Sequence, residues 1–202
     1  MKRKIFVKDS SRVLKCTVAA LVLGVSIAGA KAGNVFIKDI DPNHNSVLDV
    51  PNASTAPGTG IQLFHFFGAG GDNQIWTFKP TGDNDGSFFI VNKHSGLVLD
   101  VPSSSTDDGV QLIQFSPQGG NNQKWFVMLR VRIGNRGESQ LQPFSGSISA
   151  AVTNQFGPAL LVNKNSRKVV DIQGNSLQDG THILQFSSNG GPNQQFLFVD
   201  AP

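Results

Sequence analysis

Cysteine is almost absent from this 202-residue chain. Cys16 is the only one, and it lies in an amino-terminal segment that reads as a removable leader. The remainder can therefore form neither a disulfide nor a thiolate metal site. Long hydrophobic runs are missing too. The stretch from Cys16 to Ala28 is uncharged and mostly apolar but too short for a comfortable membrane span. Lys2, Arg3, Lys4, Lys8, Arg12 and Lys15 precede it, and Ala28-Gly29-Ala30 and Ala30-Lys31-Ala32 are small-x-small cleavage points. Residues 1–32 thus read as a secretory signal peptide, which predicts a secreted protein, extracellular or periplasmic; an uncleaved anchor is the alternative. Once that leader is removed, clustered positive charge is lacking as well. Residues 33–202 carry ten Lys and Arg against thirteen Asp and Glu, a balance of −3, so the basic character belongs to the leader. Phosphate-backbone binding needs clustered Lys and Arg, which excludes nucleic acid as the partner. Finally, no Gly-x-Ser-x-Gly or His-Glu-x-x-His occurs, and no segment shows a sustained helical period.

What is there is strand-and-turn texture. Short runs such as 87–91, 97–99 and 110–113 sit between Gly, Asn, Asp, Ser and Pro clusters. Residues 92–96 and 163–167 read as equivalent hairpin turns, with 41–46 in the same slot of an earlier copy, because Asn, Gly and Ser tolerate positive φ or bond their own backbone. Above this texture stands an internal repeat, which fixes architecture before any single motif does. An Asp between aliphatics, a Phe, a Gly pair and Asn-Gln-x-aromatic occur three times. The copies are Asp49, Phe66, Asn73-Gln74-Ile75-Trp76; Asp100, Phe115, Asn122-Gln123-Lys124-Trp125; and Asp171, Phe186, Asn193-Gln194-Gln195-Phe196. Phe to Asn is seven residues in every copy, whereas Asp to Phe is seventeen in the first and fifteen in the others.

Asp followed by Asn-Gln-x-Trp, repeated with matched Asp, aromatic and Gly-Gly, resembles the ricin-B-type lectins, whose QxW motif marks each lobe of a β-trefoil. The resemblance covers nearly all of the chain after residue 32. It implies an all-β, pseudo-threefold fold of twelve strands and a carbohydrate-binding function, with galactose or N-acetylgalactosamine as the default sugar. Phe196 in place of Trp, the missing cysteines and a long insertion depart from the family. The repeats span about 34–80, 81–128 and 156–202 within one domain, residues 33–202, and the insertion covers about 129–157.

The repeated polar residues suit a sugar. A carboxylate at a strand end can accept hydrogen bonds from two neighbouring hydroxyls, which makes Asp49, Asp100 and Asp171 the centre of each candidate site. Capping a turn is the competing role. Phe66, Phe115 and Phe186 fall where the resemblance implies a stacking aromatic, with core packing as the competing role. Asn73, Asn122 and Asn193 follow a Gly-Gly-x turn that brings the amide beside the Asp, and an amide both donates and accepts. Gln74, Gln123 and Gln194 are expected to support turn and carboxylate from behind. His65, Gln114 and Gln185, each just before a Phe, are expected at the rim or facing water. Trp76, Trp125 and Phe196 are expected in the core.

No metal or cofactor is expected. Asp39-x-Asp41-x-Asn43-x-Asn45 opens like a calcium loop, but His44 replaces the required Gly and Val50 the bidentate Glu. The repeated Asp residues lie in different lobes, so they cannot form the carboxylate pair of a glycosidase, and no enzymatic activity is expected. In the insertion, Val127, Leu129, Val131 and Ile133 alternate with Met128, Arg130 and Arg132. That pattern predicts an extended hairpin with a basic face and a mobile tip around 134–140; an arm for a partner protein is the other reading. The expected function is a secreted lectin binding glycans or glycoconjugates. The alternative is a β-trefoil protease inhibitor or a docking subunit of a secreted toxin or glycosidase complex.

Overall fold

The computed structural model describes residues 33–68, 71–133 and 138–202. The leader lies outside the described residues, as do Gly70 and the hairpin tip at 134–137. Among the described residues fourteen strands form, thirteen of them in three lobes. Lobe 1 holds β1 (Asn34–Asp39), β2 (Ser46–Asp49), β3 (Gln62–His65) and β4 (Ile75–Pro80). Lobe 2 holds β5 (Phe88–Asn92), β6 (Val98–Asp100), the short β7 (Val110–Gln111) and β8 (Ile113–Phe115), and β9 (Trp125–Ile133). The insertion adds β10 (Glu138–Phe144) and one helix, α1 (Ala150–Phe156). Lobe 3 holds β11 (Leu160–Asn163), β12 (Val169–Ile172), β13 (Thr181–Phe186) and β14 (Phe196–Asp200).

The outer strands of the lobes close a ring by antiparallel pairing: β1 with β4, β4 with β5, β5 with β9, β9 with β11, and β14 with β1. A bridge between Ala159 and Phe196 joins the last gap. The inner strands pair as three hairpins, β2 with β3, β6 with β8 and β12 with β13. This is the all-β, pseudo-threefold arrangement expected, with one inner strand of lobe 2 split in two and β10 as an addition.

One core serves all three lobes. Trp76, Trp125 and Phe196 are fully buried in it. The two indoles donate Nε1–H to Leu48 O and Leu99 O, each at 3.0 Å, which removes the cost of burying that donor. The Phe196 ring has no N–H to satisfy, so its side chain is held by packing alone. The aliphatics flanking each Asp join the same core: Leu48 and Val50, Leu99 and Val101, Val170 and Ile172. Since side chains alternate along a strand, the Asp between them points away from that core, yet Asp49, Asp100 and Asp171 are only 2, 3 and 5 % exposed.

The insertion is built into the domain. β9 and β10 pair from Val127↔Phe144 to Ile133↔Glu138, with Val127 and Leu129 buried and Arg130 exposed. Phe144, Ile148 and Val152 enter the main core. Helix α1 was not visible in the sequence because two turns are too few to display a helical period. Gly157 at φ +81° ends it, and Asp200 Oδ1 accepts from Ala150 N at its start, 2.7 Å. Among the described residues, no helix is long and apolar enough to cross a membrane.

Candidate functional site

The strand register shows which residues are equivalent, and it corrects one expectation. Asp100 stands opposite Ile113 and Val98 opposite Phe115; Asp171 stands opposite Leu184 and Val169 opposite Phe186. In lobe 1, Asp49 stands opposite Gln62 and Val47 opposite Phe64. The residue matching Phe115 and Phe186 is therefore Phe64, not Phe66. The buried glutamines confirm the register. Gln74, Gln123 and Gln194 donate to His65 O, Ser116 O and Ser187 O, and accept from Phe67 N, Gln118 N and Asn189 N. Equivalence thus holds through residue 67, and the two extra residues of lobe 1 fall within 68–71. Counting seven back from the Asn and counting fifteen on from the Asp both reach a Phe in every copy, but only the second count reaches the equivalent one in lobe 1. Phe66 packs edge-on against Phe36, ring centroids 4.5 Å apart, in a satellite cluster with Val47 and Ile75.

Because alternate residues of a strand share a face, Phe64, Phe115 and Phe186 lie on the same side as Asp49, Asp100 and Asp171. Phe186 is 38 % exposed and the other two are half-buried. Lobe 1 adds an aromatic fringe, with the His65 ring 4.6 Å from Phe64 and 4.8 Å from Phe67, which is 53 % exposed. His65 Nδ1 is 2.6 Å from Asp179 Oδ2 of lobe 3.

The carboxylates are held by amides. Asn122 Nδ2 and Gln123 Nε2 both donate to Asp100 Oδ2, at 3.1 and 2.7 Å; Asn193 and Gln194 do the same to Asp171 Oδ2, both at 2.8 Å. In lobe 1, Asn73 Nδ2 takes Asp49 Oδ1 and Gln62 Nε2 takes Oδ2, both at 2.7 Å. Each Asn spends its second Nδ2 hydrogen on the backbone carbonyl that follows the Asp, at Val50, Val101 or Ile172. Both partners can only accept, so the amide orientation is forced. The Asn therefore offers a ligand its Oδ1 alone, not the donor-and-acceptor pair anticipated. Asp100 Oδ1 and Asp171 Oδ1 accept from no described residue. Ser149 Oγ is the only fully buried side-chain polar atom without a partner among the described residues, so those two oxygens keep a narrow opening to solvent on residues that are only 3 % and 5 % exposed. Gln123 has no capacity left; it and Gln194 are buried behind the Asp, where they orient it, whereas the equally buried Gln74 gives its amide hydrogen to His65 O and leaves Asp49 to Gln62 and Asn73.

The glycine pair has two jobs in lobes 2 and 3. Gly119 and Gly190 sit at φ +76° and +75°. A Cβ on Gly120 would run into Asn122 Oδ1, and one on Gly191 would meet Asn193 Oδ1 at 2.6 Å. A feature not singled out from sequence is the turn directly after each Asp-aliphatic pair. Asn52 and Ala53, Ser103 and Ser104, and Gly174 and Asn175 all take left-handed φ. Five of these six are not glycine, and such conformations cost energy that recurs where function requires a fixed backbone. The signal was Pro-Asn-Ala, Pro-Ser-Ser and Gln-Gly-Asn at one repeat position. Gln114 and Gln185 also differ from expectation. They are fully buried and donate to the neighbouring lobe, Gln114 to Ser54 O and Ala56 O and Gln185 to Ser105 O and Asp107 O.

Burial raises the pKa of Asp49, Asp100 and Asp171 above the ordinary 3.8, against the opposing pull of the donors: Gln62 and Gln74, Gln123 and Asn122, Gln194 and Asn193. No group of three or more His, Cys, Asp or Glu among the described residues is placed to hold a metal.

Residues 72–154 match the ricin-type β-trefoil lectin domain-like family. The crystal structure of a designed threefold-symmetric protein, ThreeFoil, is 34% identical, covering 83% of this chain and 99% of its own, with a TM-score of 0.64. The chain belongs to the ricin-type β-trefoil lectin family. An exo-β-1,3-galactanase from Clostridium thermocellum is 28% identical over 85% of this chain at a TM-score of 0.64, and this lectin-family chain spans only 31% of that enzyme. The C-half of the earthworm R-type lectin, solved with GalNAc, shares the fold at 20% identity and a TM-score of 0.52, over 83% of this chain and 98% of its own. No curated protein matches the sequence. Domains of this family are typically non-catalytic, though some are parts of glycosidases or toxins.

Proposed function

We propose that the protein is a secreted lectin that binds galactose- or N-acetylgalactosamine-type glycans through up to three shallow sites. The observation that carries this reading is the repeated pairing of an outward Asp, clamped by amides, with a Phe on the same strand face. In lobes 2 and 3 the free Asp Oδ1 and the Asn Oδ1 are both acceptors, suited to the hydroxyl hydrogens of neighbouring positions on a sugar. Phe115 or Phe186 offers apolar area to the C–H face of the ring. Lobe 1 differs, because Gln62 already engages Asp49 and His65 and Phe67 widen the aromatic surface. Gln123 and Gln194 position the carboxylate without touching sugar, and Gln62 with Asn73 does so in lobe 1. The sugar class is supported by the galactanase, which carries a related domain, and by the GalNAc complex of the earthworm protein.

The residue-33–202 protein is expected to be retained on an immobilised galactose matrix, released by free galactose, and unaffected by chelator. Retention that disappears in chelator, or none on any plant, animal or microbial glycan, would overturn the reading.

A further inference from the structure

The three seams between lobes are not alike. Asn92 ends β5 and Asn163 ends β11, and each closes the seam to the lobe before it. Asn92 Nδ2 donates to Asn73 O and Asn163 Nδ2 to Asn122 O, both at 2.9 Å, while their Oδ1 atoms cap their own turns. The third such position, at the end of β1, is Asp39. Its Oδ1 accepts from Asp41 N at 2.7 Å and its Oδ2 from Ser46 N at 3.1 Å, so it caps the turn as the asparagines do. A carboxylate has no amide hydrogen to give, however, and Asn193 O, the matching acceptor in lobe 3, receives no hydrogen bond from any described side chain.

A cleft of about 410 Å³ opens at this seam. That lies within the range of about 300–1,000 Å³ found for small-molecule sites. Lobe 1 lines it with Asp39, Asp41 and Asn43; lobe 3 lines it with Asn175, Asn193 and Leu177. Asn193 borders both the cleft and the lobe 3 site, since its Nδ2 holds Asp171 Oδ2 at 2.8 Å. Asn175 belongs to the strained turn that follows Asp171 and Ile172. Ile40, Pro42, Ile172 and Pro192 complete the lining, so that half of it is apolar and half is carboxylate or amide, and the two carboxylates disfavour an anionic guest.

We propose that lobe 3 is an oligosaccharide site, in which a neutral sugar unit next to the one held at Asp171 lodges in the seam cleft. Lobes 1 and 2, whose corresponding seams are closed by asparagine, take a single unit. This rests on the lectin reading above.

The test isolates lobe 3 with the double variant Asp49→Ala/Asp100→Ala and compares galactose with neutral β-1,3-galactotriose by calorimetry. The triose is expected to bind about tenfold tighter, the effect of one or two net hydrogen bonds. Protein carrying Asp171→Ala instead, with lobes 1 and 2 intact, should bind both sugars alike. Adding Asp39→Asn to the double variant supplies the missing donor and should remove the triose advantage while leaving galactose affinity unchanged. Should that turn fail to fold, Asn43→Trp, which fills the cleft from an exposed position, should do the same. Equal affinity for the two sugars at lobe 3, or a triose advantage that survives both cleft variants, overturns the proposal while the lectin reading stands. A protein that binds neither sugar through any lobe overturns both.

Discussion

Phe64 and Phe66 are separated by one residue and have different roles. Phe64 shares the face of Asp49, while Phe66 is spent against Phe36. Phe64→Ala should therefore weaken sugar binding at lobe 1, read by NMR titration, with little change in thermal unfolding. Phe66→Ala should lower stability by about 1–3 kcal/mol, less than the ~3–5 kcal/mol of a fully buried aromatic, and leave binding intact. The opposite pattern would show that the register has misplaced the aromatic. Gly120 is a second discriminating position. A Cβ there runs into Asn122 Oδ1, so Gly120→Ala must displace the amide that clamps Asp100. Loss of binding at lobe 2 alone is expected, with lobe 3 as the internal control.

At the level of strands and turns, much of the polar chemistry ties lobes together. Gln114 on β8 and Gln185 on β13 reach into the preceding lobe, while Leu63 fills the same place in lobe 1. Gln114→Leu would imitate lobe 1 but strand Ser54 O, Ala56 O and the Ser95 hydroxyl that Gln114 Oε1 accepts at 2.7 Å. The expected cost is about 1–3 kcal/mol in urea unfolding, with binding per site unchanged. A fully stable variant would mean that water replaces these bonds.

Over the whole molecule, the site carboxylates and the surface ion pairs respond to acid with opposite sign. Asp49, Asp100 and Asp171 have pKa values raised by burial, so the native state takes up their protons before the unfolded chain would. As pH falls toward 3.8, their protonation therefore favours the fold. Asp83 and Asp108 are held below 3.8 by hydrogen bonds from Lys124 and Lys164 and from Lys168. Asp85, pushed up by partial burial but pulled down by bonds from Lys164 and Ser87, reaches about 2. The stability these three supply is present above 3.8 and lost as pH falls through their lower values, for Asp85 between 3.8 and about 2. Glycan retention should accordingly fade on acidification at a pH above 3.8, while circular dichroism still reports native structure. Retention and fold lost together would show that the carboxylates do not carry binding.

Three-lobed architecture, the outward Asp between buried aliphatics and the Asn-Gln pair were legible because each repeats at fixed local spacing, and strand alternation converts spacing into facing. Two properties were not legible. Spacing alone could not tell whether the two extra residues of lobe 1 fall before or after the aromatic; only the pairing of Val47 with Phe64, and the bonds of Gln74 to residues 65 and 67, decided it. Nor could the sequence show that Gln114 and Gln185 are buried, since their acceptors lie about sixty and eighty residues away. The exchange of Asn for Asp at position 39 is plain in the sequence, yet its consequence depends on Asn193 O, 154 residues along the chain. A donor's absence matters only where folding has already placed the acceptor.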